Sequence, residues 1–434
     1  MKKCIVLLMM LCGLLPWGSL NAQNVEFEKY FINATLRINY LRVGNRMGDT
    51  IVEHEAYFIP TQWSGSLTQL LDPFDNGDYR VVMKSTQGQE LYSRCYNSLF
   101  REYVDTPQGK DSVAYYQEVL RLPWPKEEVD ICWQKRGEDQ KFHTQYTSRM
   151  NPKEVMEHLR YRSDLKSGVP RVELQVKGDV HKKIDVVIVP EGYGPADSVK
   201  MRRDMQSFCD YLLGQEPFRS RRDDFNVWGL EGYGQESGIT DPTKGIKVNS
   251  LVGSSYNTFG ADRYLMTSEL FKLHDVIGWA PCDHIIIMAN SNTYGGGAIY
   301  NFYAMSSLNE MAYMVLPHEL GHSIGGLADE YVDEDLSYGD MHQLAVEPPE
   351  PNITTLVDFD KKWLDMLPEG TPIPTPADNK VSRKENGPLG VYEGAGYHSK
   401  GIYRPVMHCM MRDYAPFCPV CSKRLNEVFD LYVK

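Results

Sequence analysis

Two histidines four residues apart flank a glutamate in the string His318-Glu319-Leu320-Gly321-His322. Residues at i and i+4 share one face of an α-helix, so this spacing turns both imidazoles toward a single point. Neutral imidazole is a natural ligand for zinc, and a carboxylate one position after the first histidine projects toward the same point. There Glu319 can take a proton from a metal-activated water without being a ligand itself. Two protein ligands hold a catalytic metal poorly, so a third is required. Gly325-Gly326 should stop the helix sharply, and the turn that follows brings the acidic pair Asp329-Glu330 back toward the histidines. Asp329 is the first choice for the third ligand and Glu330 the second; His342, His398 and His408 could reach the metal from later loops.

The segment Asn309 to Gly325 has helical spacing, with Met311, Val315 and Leu316 apolar beside the histidines. Pro317 lacks an N–H and predicts a kink or restart just before His318. Upstream, Ile184 to Val189 reads as a buried strand. Asp197-Ser198 then opens a helix whose Met201, Met205, Phe208 and Leu212 share one face. A strand at Phe225 to Leu230, a helix around Tyr264 to Val276 and a strand at His284 to Met288 complete an alternating order. That order favours a mainly parallel sheet covered by helices. Tyr294-Gly295-Gly296-Gly297 precedes Ala298 to Met305, which reads as an edge strand able to pair with an extended peptide.

From Val25 to about Arg149 the pattern is one of short apolar and aromatic runs: Leu36 to Leu41, Ile51 to Ile59, Tyr79 to Met83, Ser112 to Leu122 and Val129 to Trp133. Turn residues such as Asn76-Gly77-Asp78 separate them, as in a small β-sandwich without catalytic spacing. A short helical stretch, Lys153 to Leu159, leads into the changeover near Ser167-Gly168. The expected fold is α+β in two domains: an all-β sandwich over 23–165 and an α/β catalytic domain over 166–434.

At 434 residues two domains are the natural expectation, and a formal net charge of -12 argues against a nucleic-acid or anionic-membrane partner. Lys2-Lys3, the apolar run Ile5 to Leu15 and the small or polar residues up to Ala22 read as a signal peptide over 1–22. The chain is then exported, to periplasm, cell surface or medium, and no later run is long enough to span a membrane. Seven cysteines remain after that segment. In oxidising surroundings, Cys409, Cys418 and Cys421 are read as disulfide partners rather than a zinc cluster. Asp333, Glu334 and Asp335 read as a solvated acidic turn in preference to a calcium site. The oligomeric state is not legible.

The string from His318 through Ser323-Ile324-Gly325-Gly326-Leu327-Ala328-Asp329-Glu330-Tyr331 resembles the bacterial IgA-peptidase family of metallopeptidases, and more broadly the metzincin clan. The resemblance implies a metzincin-like zinc peptidase domain from Lys183 to the C-terminus, preceded by a domain like that family's β-rich N-terminal one. It implies His318, His322 and Asp329 as zinc ligands, Glu319 as general base and Cys409-Met410-Met411 as the methionine turn, Met411 foremost. One departure stands: the clan's spacing would put the third ligand at Ala328, and only a count from Gly326 reaches Asp329. The implied activity is hydrolysis of peptide bonds by zinc-bound water, with immunoglobulin A or another host glycoprotein as substrate. Tyr331 and Tyr414 are candidates for steadying the oxyanion, although packing is the simpler role for either. The competing reading is an adhesion or glycan-binding protein with a structural metal, which would have no use for Glu319.

Overall fold

The computed structural model describes residues 25–159, 168–333, 342–378 and 380–433. The signal-peptide expectation over 1–22, the boundary between 165 and 166 and the acidic residues Glu334 and Asp335 lie outside them.

The N-terminal part contains seven strands: β1 (Phe31–Asn45), β2 (Gly48–Ile59), β3 (Tyr79–Ser85), β4 (Glu90–Tyr96), β5 (Ala114–Pro125), β6 (Val129–Arg136) and β7 (Phe142–Met150). They form a three-stranded sheet, β2-β1-β5, and a four-stranded sheet, β4-β3-β6-β7, antiparallel throughout. Leu36, Ile38 and Tyr40 of one sheet and Tyr79, Val81, Met83 and Trp133 of the other belong to one buried cluster. The two sheets therefore pack face to face as a sandwich. β4 and β7 were not foreseen, because their polar residues mask the period-two signal. Pro107–Asp111 is a short helix capped by the Thr106 side chain.

The second half carries a six-stranded sheet built from β8 (Arg171–Gln175), β9 (Ile184–Glu191), β10 (Phe225–Leu230), β11 (His284–Ala289), β12 (Gly296–Ile299) and β13 (Tyr303–Ser307). Its order is β12-β13-β11-β9-β10-β8. The four inner strands are parallel, as the alternating pattern predicts, and both edges are antiparallel. Along β9, Ile184, Val186 and Ile188 face one apolar cluster while Val187 and Val189 face another. Cover on both faces is why this strand reads as an unbroken apolar run. One face is covered by α1 (Ser198–Leu212), α3 (Ala312–Gly325) and α4 (Pro419–Val433), the other by α2 (Leu270–Ile277). A hairpin of β14 (Tyr392–Ala395) and β15 (His398–Arg404) lies near the C-terminus.

Three expectations need correction. The helix foreseen from Tyr264 begins only at Leu270. The apolar pair Leu265-Met266 instead lies in irregular chain, tied to Gly296 and to Ser255. The foreseen strand Ala298 to Met305 is two strands joined by a turn, and only β12 is the edge. α3 passes through Pro317 without restarting. Pro317 lies in the second turn, where it removes a single backbone bond, and dense packing of the buried residues around it holds the helix together.

The two halves are joined by buried and partly buried polar contacts. The Asn76 amide donates to Gly326 O at 3.1 Å, and Asn301 Nδ2 donates to Cys95 O at 2.7 Å. Arg94 donates to Asn301 Oδ1 at 2.8 Å and to the Tyr432 hydroxyl at 2.9 Å. Among the described residues no helix is long and apolar enough to cross a membrane.

Candidate metal centre and cleft

The site begins with the way α3 ends. Gly326 adopts φ +59, its N–H donates to His322 O at 2.9 Å, and the Leu327 N–H reaches back to Gly321 O at 3.1 Å. The bond from Gly326 to His322 is that of an αL helix stop, which needs a residue that tolerates left-handed backbone. Gly325 is still helical, so the turn glycine is Gly326. That shift by one accounts for the spacing anomaly: the chain reverses one residue later than the clan pattern expects, and Asp329 returns to the histidines where Ala328 would have.

His318 Nε2 and His322 Nε2 lie 3.1 Å apart, and Asp329 Oδ1 lies 3.1 Å from the first and 3.4 Å from the second. Each Nδ1 is committed to a backbone carbonyl, His318 to Met410 O at 2.9 Å and His322 to Leu327 O at 2.6 Å. With the Nδ1 atoms as donors and both rings neutral, as a bound cation would require, the two Nε2 lone pairs face each other. Asp329 Oδ1 is buried without a hydrogen-bond donor. Three bare acceptors at these separations fit ligands about 2.0–2.1 Å from one tetrahedral cation. The field agrees. Burial would raise the Asp329 carboxyl, yet the histidines hold it far below the ordinary range. Burial would also lower both imidazoles, but Asp329 raises them, His322 to about 9. The pocket attracts positive charge.

The three groups lie on the wall of a cavity of about 530 Å³ that is also lined by Glu319, Arg263, Tyr264, Tyr331, Tyr397 and Tyr414. Glu319 stands beside β12: a Cβ on Gly296 would come within 2.9 Å of Glu319 Oε1. Burial pushes its carboxyl upward, toward the range of a working base. The other foreseen residues fall on both sides of this site. Glu330 turns away from the imidazoles toward Cys421, so it is not brought to them. His342 lines the cavity wall, His398 opens β15, and His408 pairs with Asp413 at 2.5 Å, outside the cavity. Both methionines matter. Met410 supplies the carbonyl that orients His318, while the Met411 sulfur packs against Gly321, where a Cβ would approach it to 2.4 Å. Tyr414 lies edge-on to His318 with ring centroids 5.6 Å apart, and its hydroxyl pairs with that of Tyr294.

Sequence reasoning missed three residues here. The Tyr397 hydroxyl donates to Asp329 Oδ2, fixing the carboxylate from its outer side. Arg263 is a cation of the cleft wall, placed near the Tyr331 ring and 3.7 Å from Asp333. Glu102 comes from the sandwich, accepts from the Tyr264 hydroxyl at 2.5 Å, and is raised to about 7, chiefly by burial. Nothing in their local sequence distinguishes them. The disulfide expectation is also corrected: Cys95, Cys132, Cys209, Cys282, Cys409, Cys418 and Cys421 are all free and buried.

Comparison with known proteins adds one independent line. No curated protein matches the chain. The model described as Peptidase M64 N-terminus matches residues 26–147, the sandwich. The model described as IgA Peptidase M64 matches residues 172–389 and 381–429, well over half of the chain and including the histidine helix, the Asp329 turn and the methionine segment. The chain therefore belongs to the IgA Peptidase M64 family of metallopeptidases.

Proposed function

We propose that this chain is an exported, zinc-dependent endopeptidase with a metzincin-like catalytic domain over residues 166–434, following a β-sandwich domain over 23–165. In this reading His318, His322 and Asp329 hold the metal and Glu319 is the general base. The observation that carries it is the convergence of three acceptor atoms at 3.1–3.4 Å on the wall of an open cavity, with a carboxylate beside them. Two imidazoles and a carboxylate suit zinc, which when bound polarises a scissile carbonyl and makes water nucleophilic near neutral pH.

The chain's own residues do the rest. The Glu319 carboxylate accepts the proton of the attacking water and delivers it to the departing amine nitrogen. The backbone of Gly296 already bonds outward, accepting from Leu265 N and donating to Arg263 O, both at 3.2 Å. Its edge is therefore closed there. Ala298, two residues on, points its backbone the same way and is the position left to pair with an extended substrate. The hydroxyl of Tyr414, or of Tyr331, would donate to the oxygen on which charge develops. Tyr397 keeps Asp329 in its ligating orientation. Immunoglobulin A or another host glycoprotein is the proposed substrate class, and cleavage of a peptide library by the purified protein defines its specificity.

Glu319→Ala should keep the bound metal and lose proteolysis. Proteolysis that survives in a variant with full metal content would overturn the assignment of the base.

A further inference from the structure

Four side chains that the proposed reaction does not use meet behind the cleft. Cys409, Cys418, Cys421 and Glu330 are each 0% exposed, and one ligand atom from each lies within 4.8 Å of all the others. Cys409 Sγ and Cys421 Sγ are 3.8 Å apart, and Cys421 Sγ is 3.2 Å from Glu330 Oε1. Two thiolates about 2.3 Å from a tetrahedral zinc are about 3.8 Å apart, whereas a disulfide would hold the same atoms at about 2.05 Å.

The surroundings are prepared for anionic sulfur. The Cys418 N–H points to Cys409 Sγ at 3.4 Å and the Cys421 N–H to Cys418 Sγ at 3.5 Å. Cys418 and Cys421 bracket the first turn of α4, so their spacing is fixed by the helix. Asn352 Nδ2 orients Glu330 through Oε1 at 2.9 Å, but Glu330 Oε2 is buried without any partner. A Cys409–Cys421 disulfide would leave the third thiol and Glu330 Oε2 sealed in the interior without a hydrogen-bond or ligand partner. A cation satisfies all four.

We infer that Glu330, Cys409, Cys418 and Cys421 form a second metal site, a closed four-coordinate S3O site that takes zinc for structure. Three soft thiolates select zinc over harder divalent ions, and none of the four residues lines the cleft, so no coordination position opens to substrate. Uptake of the ion displaces the thiol protons to solvent. The buried Arg404 guanidinium, which interacts with the Glu330 carboxylate, offsets part of the remaining negative charge. The site joins three separate segments: the Asp329-Glu330 turn, the methionine segment and the start of the C-terminal helix. It stands whether or not the cleft proves to be a peptidase centre.

The test uses the full chain isolated without added oxidant, reductant or chelator. Elemental analysis should find two zinc ions per chain, falling to one in His318→Ala/His322→Ala and to one in Cys418→Ser/Cys421→Ser. Cobalt substituted into the unmutated chain should give intense thiolate charge-transfer absorption, retained in the double histidine variant. This spectrum decides the matter even if the cysteine variant fails to fold. One zinc per chain that is lost with the histidines, a Cys409–Cys421 disulfide in the peptide map, or a cobalt spectrum without thiolate bands would each overturn the second site.

Discussion

Asp329 and Glu330 are neighbours in the chain yet serve opposite surroundings. The first joins two imidazoles on the wall of a 530 Å³ cavity, and the second joins three thiols that the cavity does not reach. The difference is one of accessibility as much as of ligand type. A site with three protein ligands and an open side can exchange water and substrate, while a filled four-ligand site can only hold chain segments together. One reversal of the backbone, from Gly326 onward, supplies both, so the two proposed metal sites share a single turn.

The contrast can be broken most sharply by substituting one ligand on each side. His322→Ala should abolish turnover with little change in melting temperature. Cys418→Ser should lower the melting temperature by on the order of 10 °C, through loss of several kcal/mol of metal-linked folding energy. If both variants melt alike, the division of labour is wrong. A chelator gives the next largest effect: activity and one equivalent of metal should leave together and early, the second equivalent much later and with unfolding. Elemental analysis of timed samples measures both phases. Tyr397→Phe removes the hydroxyl behind Asp329 and should weaken metal retention or kcat about 10- to 100-fold, leaving the thiol site filled. The smallest effect is expected from Asn352→Ala. Asn352 bonds Ala328 at both its N–H and its carbonyl and also holds Glu330, so its loss should cost about 1–3 kcal/mol of stability with a modest fall in activity.

What the sequence made legible follows the range of the interactions. The histidine pair and its glutamate are visible because helical geometry acts over four residues, and Asp329 because a glycine stop acts over seven. Strand β9 is visible because cover on both faces leaves no polar interruption. Tyr397 is invisible: it reaches Asp329 across 68 residues, and any of the 27 tyrosines could have done so. The same limit misled the reading of the cysteines. Spacing along the chain shows that Cys409, Cys418 and Cys421 are near one another, but not that Glu330, 91 residues before Cys421, completes their ring. Leu265-Met266 looked helical because apolar residues bury equally well in irregular chain when a neighbouring strand offers hydrogen bonds.

The bond from Asn76 to the Gly326 carbonyl spans 250 residues, and a side chain at position 326 would strike that amide at 2.1 Å. A ribosome delivers the donor long before the acceptor, so the sandwich can already be folded when the ligand-bearing turn emerges. Synthesis order thus gives the last segment a finished surface to settle against, and a chain cut between its halves would make that turn without its clasp.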